Sequence, residues 1–263
     1  MKHSIKINDI NHWMSTVAEI NSKEFGPQDQ VYLSICKSED TELKPKHIVS
    51  LACCLHSLEK RNIPYTMKED PDNNLHADRA FGLWKVDDGT SSNYTHQLYK
   101  YLEYLNPQKD LTAVKMSMNE VIYNIFDHSE STDNAYLYTY YNYDTRRLEI
   151  AACDFGTGIA KLVRSFHPEI TDDAAAIKKA TEFAFTTQSR PHNGGIGLDN
   201  IISSCSENDE MGIISNKGQI IVKNNIMTTF ALDYEFPGTL IYYEISISEL
   251  PDKDNNEFDD VHF

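Results

Sequence analysis

The chain has 263 residues, enough for one large domain or two small ones around a sizeable core. Lys and Arg number 24 against 40 Asp and Glu, and the net charge of −16 disfavours an electrostatic grip on nucleic acid or on an anionic membrane surface. The apolar-patterned, charge-free stretch 48–58 is too short to span a bilayer, and the polar sequence after Met1 lacks a signal core, so the expectation is a cytoplasmic protein.

Residues 31–36 have the β-branched and aromatic character of a strand. Pro45 then opens a predicted helix in which Ile48, Leu51, Ala52, Leu55 and Leu58 recur at helical spacing, and residues 63–67 read as the next strand. Strand, helix and strand in this order imply a parallel pair with a crossover. After the polar break 87–93, Leu98, Tyr101, Leu102 and Leu105 mark a helix ended by Pro107. Asp110 is placed to cap a longer one bearing Leu111, Val114, Met118, Val121 or Ile122, and Ile125. Residues 135–143 and 148–153 form a predicted hairpin around Asp144-Thr145-Arg146. Further strands are expected at 213–214, 220–222, 228–234 and 239–247, with turns at 216–218 and at Pro237-Gly238. The fold class is α/β, an α+β sandwich of helices on a mixed sheet. Residues 1–106 form a small α/β module, 107–250 the larger domain and 251–263 an acidic disordered tail. Cys36, Cys53, Cys54, Cys153 and Cys205 lie in apolar segments with no C-x-x-C spacing, the pattern of buried reduced thiols.

Three motifs carry chemistry. Glu120, Asn124 and His128 are spaced four apart and fall within about 80° of one another on a helix, as a solvated face would also do. Asp154-Phe155-Gly156-Thr157-Gly158 ends a predicted strand; its glycines permit a sharp turn or close approach to a planar ligand, and its aspartate can accept from an amino group. An ordinary β-turn with a helix cap is the alternative. Gly194-Gly195-Ile196-Gly197-Leu198, after a polar stretch from Phe185, opens a helix whose free N–H groups could receive an anion, or simply joins a loop to a helix.

Together and in this order, the motifs resemble the gyrase, heat-shock chaperone, histidine kinase and mismatch-repair superfamily of ATPases, the GHKL or Bergerat fold. Residues 120–128 resemble its N box, 154–158 its first glycine box, 185–187 the start of its ATP lid and 195–198 its second glycine box. Pro237-Gly238-Thr239 is similar to the Gly-Thr that closes the adenine pocket. The resemblance implies ATP and Mg²⁺ as ligands, with Asn124 on the metal and Glu120 activating the attacking water. It further implies Asp154 on the adenine amino group supported by Thr239 through a water, and Gly156 and Gly158 beneath the base. Thr187 would lie in the lid, and N–H groups of Gly195, Gly197 and Leu198 around the phosphates. Asp127 stands where sensor kinases carry a basic residue, closer to the gyrase and chaperone branches, and Arg190 and His192 are the lid's candidates for charge neutralisation. The front module resembles the STAS modules of anti-sigma antagonists, with Lys44-Pro45-Lys46-His47 in place of their acceptor serine. These resemblances imply a nucleotide-dependent ATPase switch in a bacterial-type regulatory system. A protein partner would dock through the front module, and a homodimer stays open. The alternatives are an anti-sigma-type serine kinase and a non-catalytic nucleotide-binding module.

Overall fold

Val31, Leu33 and Ile35 are buried and alternate with half-exposed neighbours along β2 (Gln30–Ile35), the period-2 pattern of a sheet covered on one face. β2 is the middle of a three-stranded parallel sheet, between β1 (Lys2–Ile7) and β3 (Tyr65–Lys68). Helix α1 (Trp13–Ser22) connects β1 to β2, and α2 (Pro45–Lys60) connects β2 to β3. The expected strand–helix–strand unit is therefore present, with a strand and a helix added ahead of it. The computed structural model describes residues 2–7, 10–35, 43–68, 80–85, 91–128, 135–182, 198, 202 and 205–253.

Pro45 is at the first turn of α2, and His47 Nδ1 accepts the Lys44 backbone N–H at 2.9 Å. The His47 ring is buried edge-on to Trp13, whose indole N–H donates to Ser50 Oγ at 3.1 Å. Burial, then the charges of Lys46 and Lys44, bring the His47 pKa down to about 3, so the ring stays neutral and keeps an acceptor nitrogen for the cap. The sequence at this helix start thus has a structural use.

The second sheet has the order β4-β5-β6-β8-β7, built from β4 (Ala80–Lys85), β5 (Ala135–Asn142), β6 (Arg147–Asp154), β7 (Glu210–Lys223) and β8 (Ile226–Ser246). Every adjacent pair is antiparallel, which corrects the expectation of a mixed sheet. The reason is positional: β6 and β7 run in the same direction, as a crossover requires, but β8 inserts between them and opposes both.

α1 and α2 fill the space between the two sheets. Their Trp13, Val17, Val49, Cys53 and Leu58 share one core with Val31 and Leu33 of the small sheet and with Tyr140, Ala151, Cys153 and Leu240 of the large one. Of the predicted stripe of α2, Leu58 is fully buried while Ile48, Leu51, Ala52 and Leu55 are only partly buried, because a helix between two sheets needs apolar residues on more than one side. The opposite face of the large sheet is covered by α3 (Ser91–Leu105), α4 (Thr112–His128), α5 (Ile159–Phe166) and α6 (Asp173–Ala180). Leu111, Val114, Met118 and Val121 are all buried there, and Asp110 Oδ1 accepts the Thr112 N–H at 2.9 Å, as predicted. β4 and α3 precede residue 107 yet belong to this layer: β4 pairs with β5, and Trp84 stacks on Tyr94 of α3 at 4.5 Å.

The expected turns at 216–218 and 237–238 are corrected. β7 and β8 run through both places and reverse at Asn224-Asn225, whose φ values of 52° and 58° suit a two-residue hairpin. Pro237 and Gly238 are extra residues on β8 opposite a register shift at Ser215–Asn216, a bulge where a proline costs no ladder bond. Gly212 lets Tyr242 lie across β7, since a Cβ there would stand 2.2 Å from the ring. Of the residues assigned to the tail, Pro251 and Lys253 are bonded to the α3–α4 connection, through Asp110 N–H to Pro251 O (2.9 Å) and Lys253 N–H to Gln108 O (2.8 Å). Residues 254–263 lie outside the described residues.

Cys53, Cys54, Cys153 and Cys205 are buried reduced thiols, as expected, and burial raises the pKa of each, Cys54 to about 12 and Cys205 to about 11. Cys36 lies outside the described residues. Among the described residues no helix is long and apolar enough to cross a membrane.

Candidate functional site

Leu148, Ile150 and Ala152 of β6 point into the helix-side core, so by strand alternation Asp154, at the end of β6, lies on the same face. Register places Asp154 in a row of four residues, each from a different strand: Ala135 on β5, Asp154 on β6, Thr239 on β8 and Ser215 on β7. This row is the nucleus of the candidate site. It brings Asp154 and Thr239 side by side from positions far apart in sequence.

Asp154 is 2 % exposed. Burial raises its pKa from 3.8 to about 7, against the opposing effect of the Gly156 N–H, which donates to Oδ1 at 2.8 Å. A buried carboxylate with so little compensation for its charge is suited to receive a donor such as an exocyclic amino group.

The loop 155–158 is fastened on three sides. Phe155 packs edge-on against Phe236 of β8, with ring centroids 5.8 Å apart. Asn216 Nδ2 donates to the Thr157 carbonyl at 3.3 Å. Gly158 takes φ = 87°, and a Cβ on it would approach Asn216 Oδ1 to 2.7 Å, Ser215 Oγ to 2.8 Å and Gly238 O to 2.9 Å. The glycine requirement at 158 is thus set by the protein's own β7 and β8.

α5 begins directly after this loop, and its first three N–H groups are all satisfied by side chains from those strands. Ile159 donates to Thr239 Oγ1 (3.1 Å), Ala160 to Ser215 Oγ (3.3 Å) and Lys161 to Asn216 Oδ1 (3.1 Å). Ser215 spends its own proton on Gly238 O at 3.0 Å. Thr239 therefore accepts from α5 and keeps one proton to donate, either to Ser215 at 3.5 Å or into the site. Ser215 and Asn216 were missed from sequence because 216–218 reads as a turn. The usable signal was an Asn, a residue tolerant of φ > 0, directly after the apolar pair Ile213-Ile214 and Ser215.

Glu120 is half-buried on α4, between the buried Met118 and Val121, and α4 packs on β6. Asn124 lies on the same helix one turn later; its side chain, with those of Asp127 and His128, is outside the described residues. Leu198 is 5 % exposed and contributes to the helix-side core. Thr187, Arg190, His192, Gly195 and Gly197 lie outside the described residues. The structure thus brings Asp154, Gly156, Gly158 and Thr239 close together, and α4 packs on the same face of the sheet.

Gly238, with φ = 118°, is the tightest point of this construction. A Cβ there would stand 2.3 Å from Asp154 O and 2.7 Å from Gly156 N, both backbone atoms that cannot swing away. Gly238→Ala is expected to destabilise the protein by roughly 3 kcal/mol or more and to lower the melting midpoint by about 10 °C, measured by calorimetric melting. An unchanged midpoint would contradict this packing.

A second polar crevice lies at the other end of β6, lined by Lys44, Lys46, Glu149, Glu210, Tyr242 and Glu244. Its charges meet one another: Lys44 bonds Glu244 at 2.9 Å, Arg147 pairs with Glu244, and Lys46 sits over the Tyr242 ring at 4.3 Å. We read it as a clasp between the start of α2 and the sheet, its cations and carboxylates already engaged. No protein-family model matches the chain, and no curated protein matches it.

Proposed function

We propose that the chain is a Mg·ATP-binding ATPase of the GHKL type that acts as a nucleotide-dependent switch in a bacterial-type regulatory system. The observation that supports this most is the buried Asp154 carboxyl, set on one cross-strand row with Thr239, tethered to Gly156 and lying on the face of the sheet against which α4 packs. In this reading Asp154 accepts from the adenine amino group and the spare Thr239 proton reaches the base through a water. Gly156 and Gly158 keep the loop low enough for the base to lie on it. Glu120 orients and deprotonates the attacking water, while Asn124 holds the metal, which neutralises phosphate charge when bound. Thr187 belongs to the lid, and the N–H groups of Gly195, Gly197 and Leu198 surround the phosphates.

A partner would meet the front module on the outer face of its sheet, which bears Lys2, Ser4, Tyr32 and Thr66, because the inner face is covered by α1 and α2. The satisfied N-terminal amides of α5 leave the phosphates to the later glycines. Calorimetry with Mg·ATP followed by incubation with γ-labelled ATP tests the proposal: binding with release of free phosphate is expected. Label passing to an added serine-bearing partner would favour the kinase alternative, and binding with neither would leave a non-catalytic module. No binding at millimolar concentration would overturn the reading.

A further inference from the structure

We infer that Asn216 is the positioning residue that sets the Asp154 loop at the height and tilt needed to select adenine, an inference that rests on the ATP-binding reading above. The side chain uses both of its ends. Nδ2 donates to Thr157 O at 3.3 Å, inside the loop, and Oδ1 accepts from Lys161 N–H at 3.1 Å, in the first turn of α5. One rigid amide therefore spans the segment between Gly156, which holds Asp154, and the helix that follows.

Its own backbone is fixed for the purpose. Asn216 is 2 % exposed, has φ = 52° and sits at the register shift where β8 carries Pro237 and Gly238 as extra residues. Ser215 beside it bonds Ala160 N–H and Gly238 O, so the β7 shift holds the loop, the helix start and the β8 bulge at once. Asp154 contributes the acceptor for an amino group, but an acceptor discriminates only if it cannot move to suit another base edge. Asn216 restricts that movement without touching the ligand.

The test compares Mg·ATP with Mg·ITP, whose base carries an oxygen where adenine carries the amino group, by calorimetry on the full chain. Asn216→Gly suits φ > 0 and removes both side-chain bonds; Asn216→Asp also tolerates that φ and keeps the acceptor for Lys161, but turns an acceptor toward the Thr157 carbonyl in place of the donor and so breaks that bond, at the added cost of a buried carboxyl. The wild type is expected to prefer ATP by roughly tenfold or more, Asn216→Gly to lose about tenfold in ATP affinity with ITP changed less than about threefold, and Asn216→Asp to fall between them. Should the glycine variant fail to fold, a narrowed ATP-to-ITP ratio in the aspartate variant supports the inference in its place. Equal weakening of both nucleotides, or an unchanged ratio in a folded variant, overturns the inference and leaves ATP binding standing. Absence of ATP binding by the wild type overturns both.

Discussion

Asp154→Asn is expected to lower Mg·ATP affinity by roughly 10- to 100-fold, the loss of one buried charge-assisted hydrogen bond. The same change should alter how stability responds to pH in the nucleotide-free protein. Burial raises the Asp154 pKa from 3.8 to about 7, so the folded chain holds this proton more tightly than the unfolded chain does. The stability it contributes is complete below 3.8 and is lost as pH climbs through about 7. Between about pH 5 and pH 8 the wild type should therefore lose roughly 2–3 kcal/mol that the asparagine variant keeps, seen as a widening gap in melting midpoint in the variant's favour. An amino donor on the carboxylate compensates its charge, so ATP affinity of the wild type should rise with pH, by up to about tenfold per unit below the pKa, and the variant should show a flatter profile. An asparagine variant with wild-type affinity would remove Asp154 from the adenine site.

Glu120→Ala is expected to cut ATP turnover by about 10²- to 10⁴-fold while leaving ATP affinity within about threefold. Alanine is the best helix former, and Glu120 is half-buried with the apolar anchors Met118 and Val121 on either side, so α4 should persist. Glu120→Gln separates two contributions, since the amide retains the shape that orients a water but cannot take its proton. Phosphate release and calorimetric affinity measured on the same preparations decide the matter. Turnover unaffected by either substitution would exclude this residue as the base.

Elements governed by local periodicity were readable in advance. The apolar positions of α4, the hairpin of β5 and β6 and the helix opened by Pro45 lie within a residue or two of their expected places. β1 and α1 were not anticipated, their apolar patterns being short, and β4 is a six-residue edge strand whose identity depends on pairing with β5. The antiparallel order of the large sheet was hidden for a similar reason: the insertion of β8 between β6 and β7 is a choice among distant partners.

By itself the sequence determined the helix opened by Pro45, the β5–β6 hairpin, which side of α4 would face a core, the burial of Cys53, Cys54, Cys153 and Cys205, and the Asp that ends β6 with the glycines that follow it. Only the tertiary structure decided that Asp154 would lose its water, that Thr239 would stand beside it, and that α2 would be enclosed on both sides. Periodicity reports burial against one neighbour, whatever that neighbour is. Desolvation of a carboxyl and the capture of Ile159 N–H by a hydroxyl 80 residues away depend on which strands meet and in what register, and no local pattern encodes that.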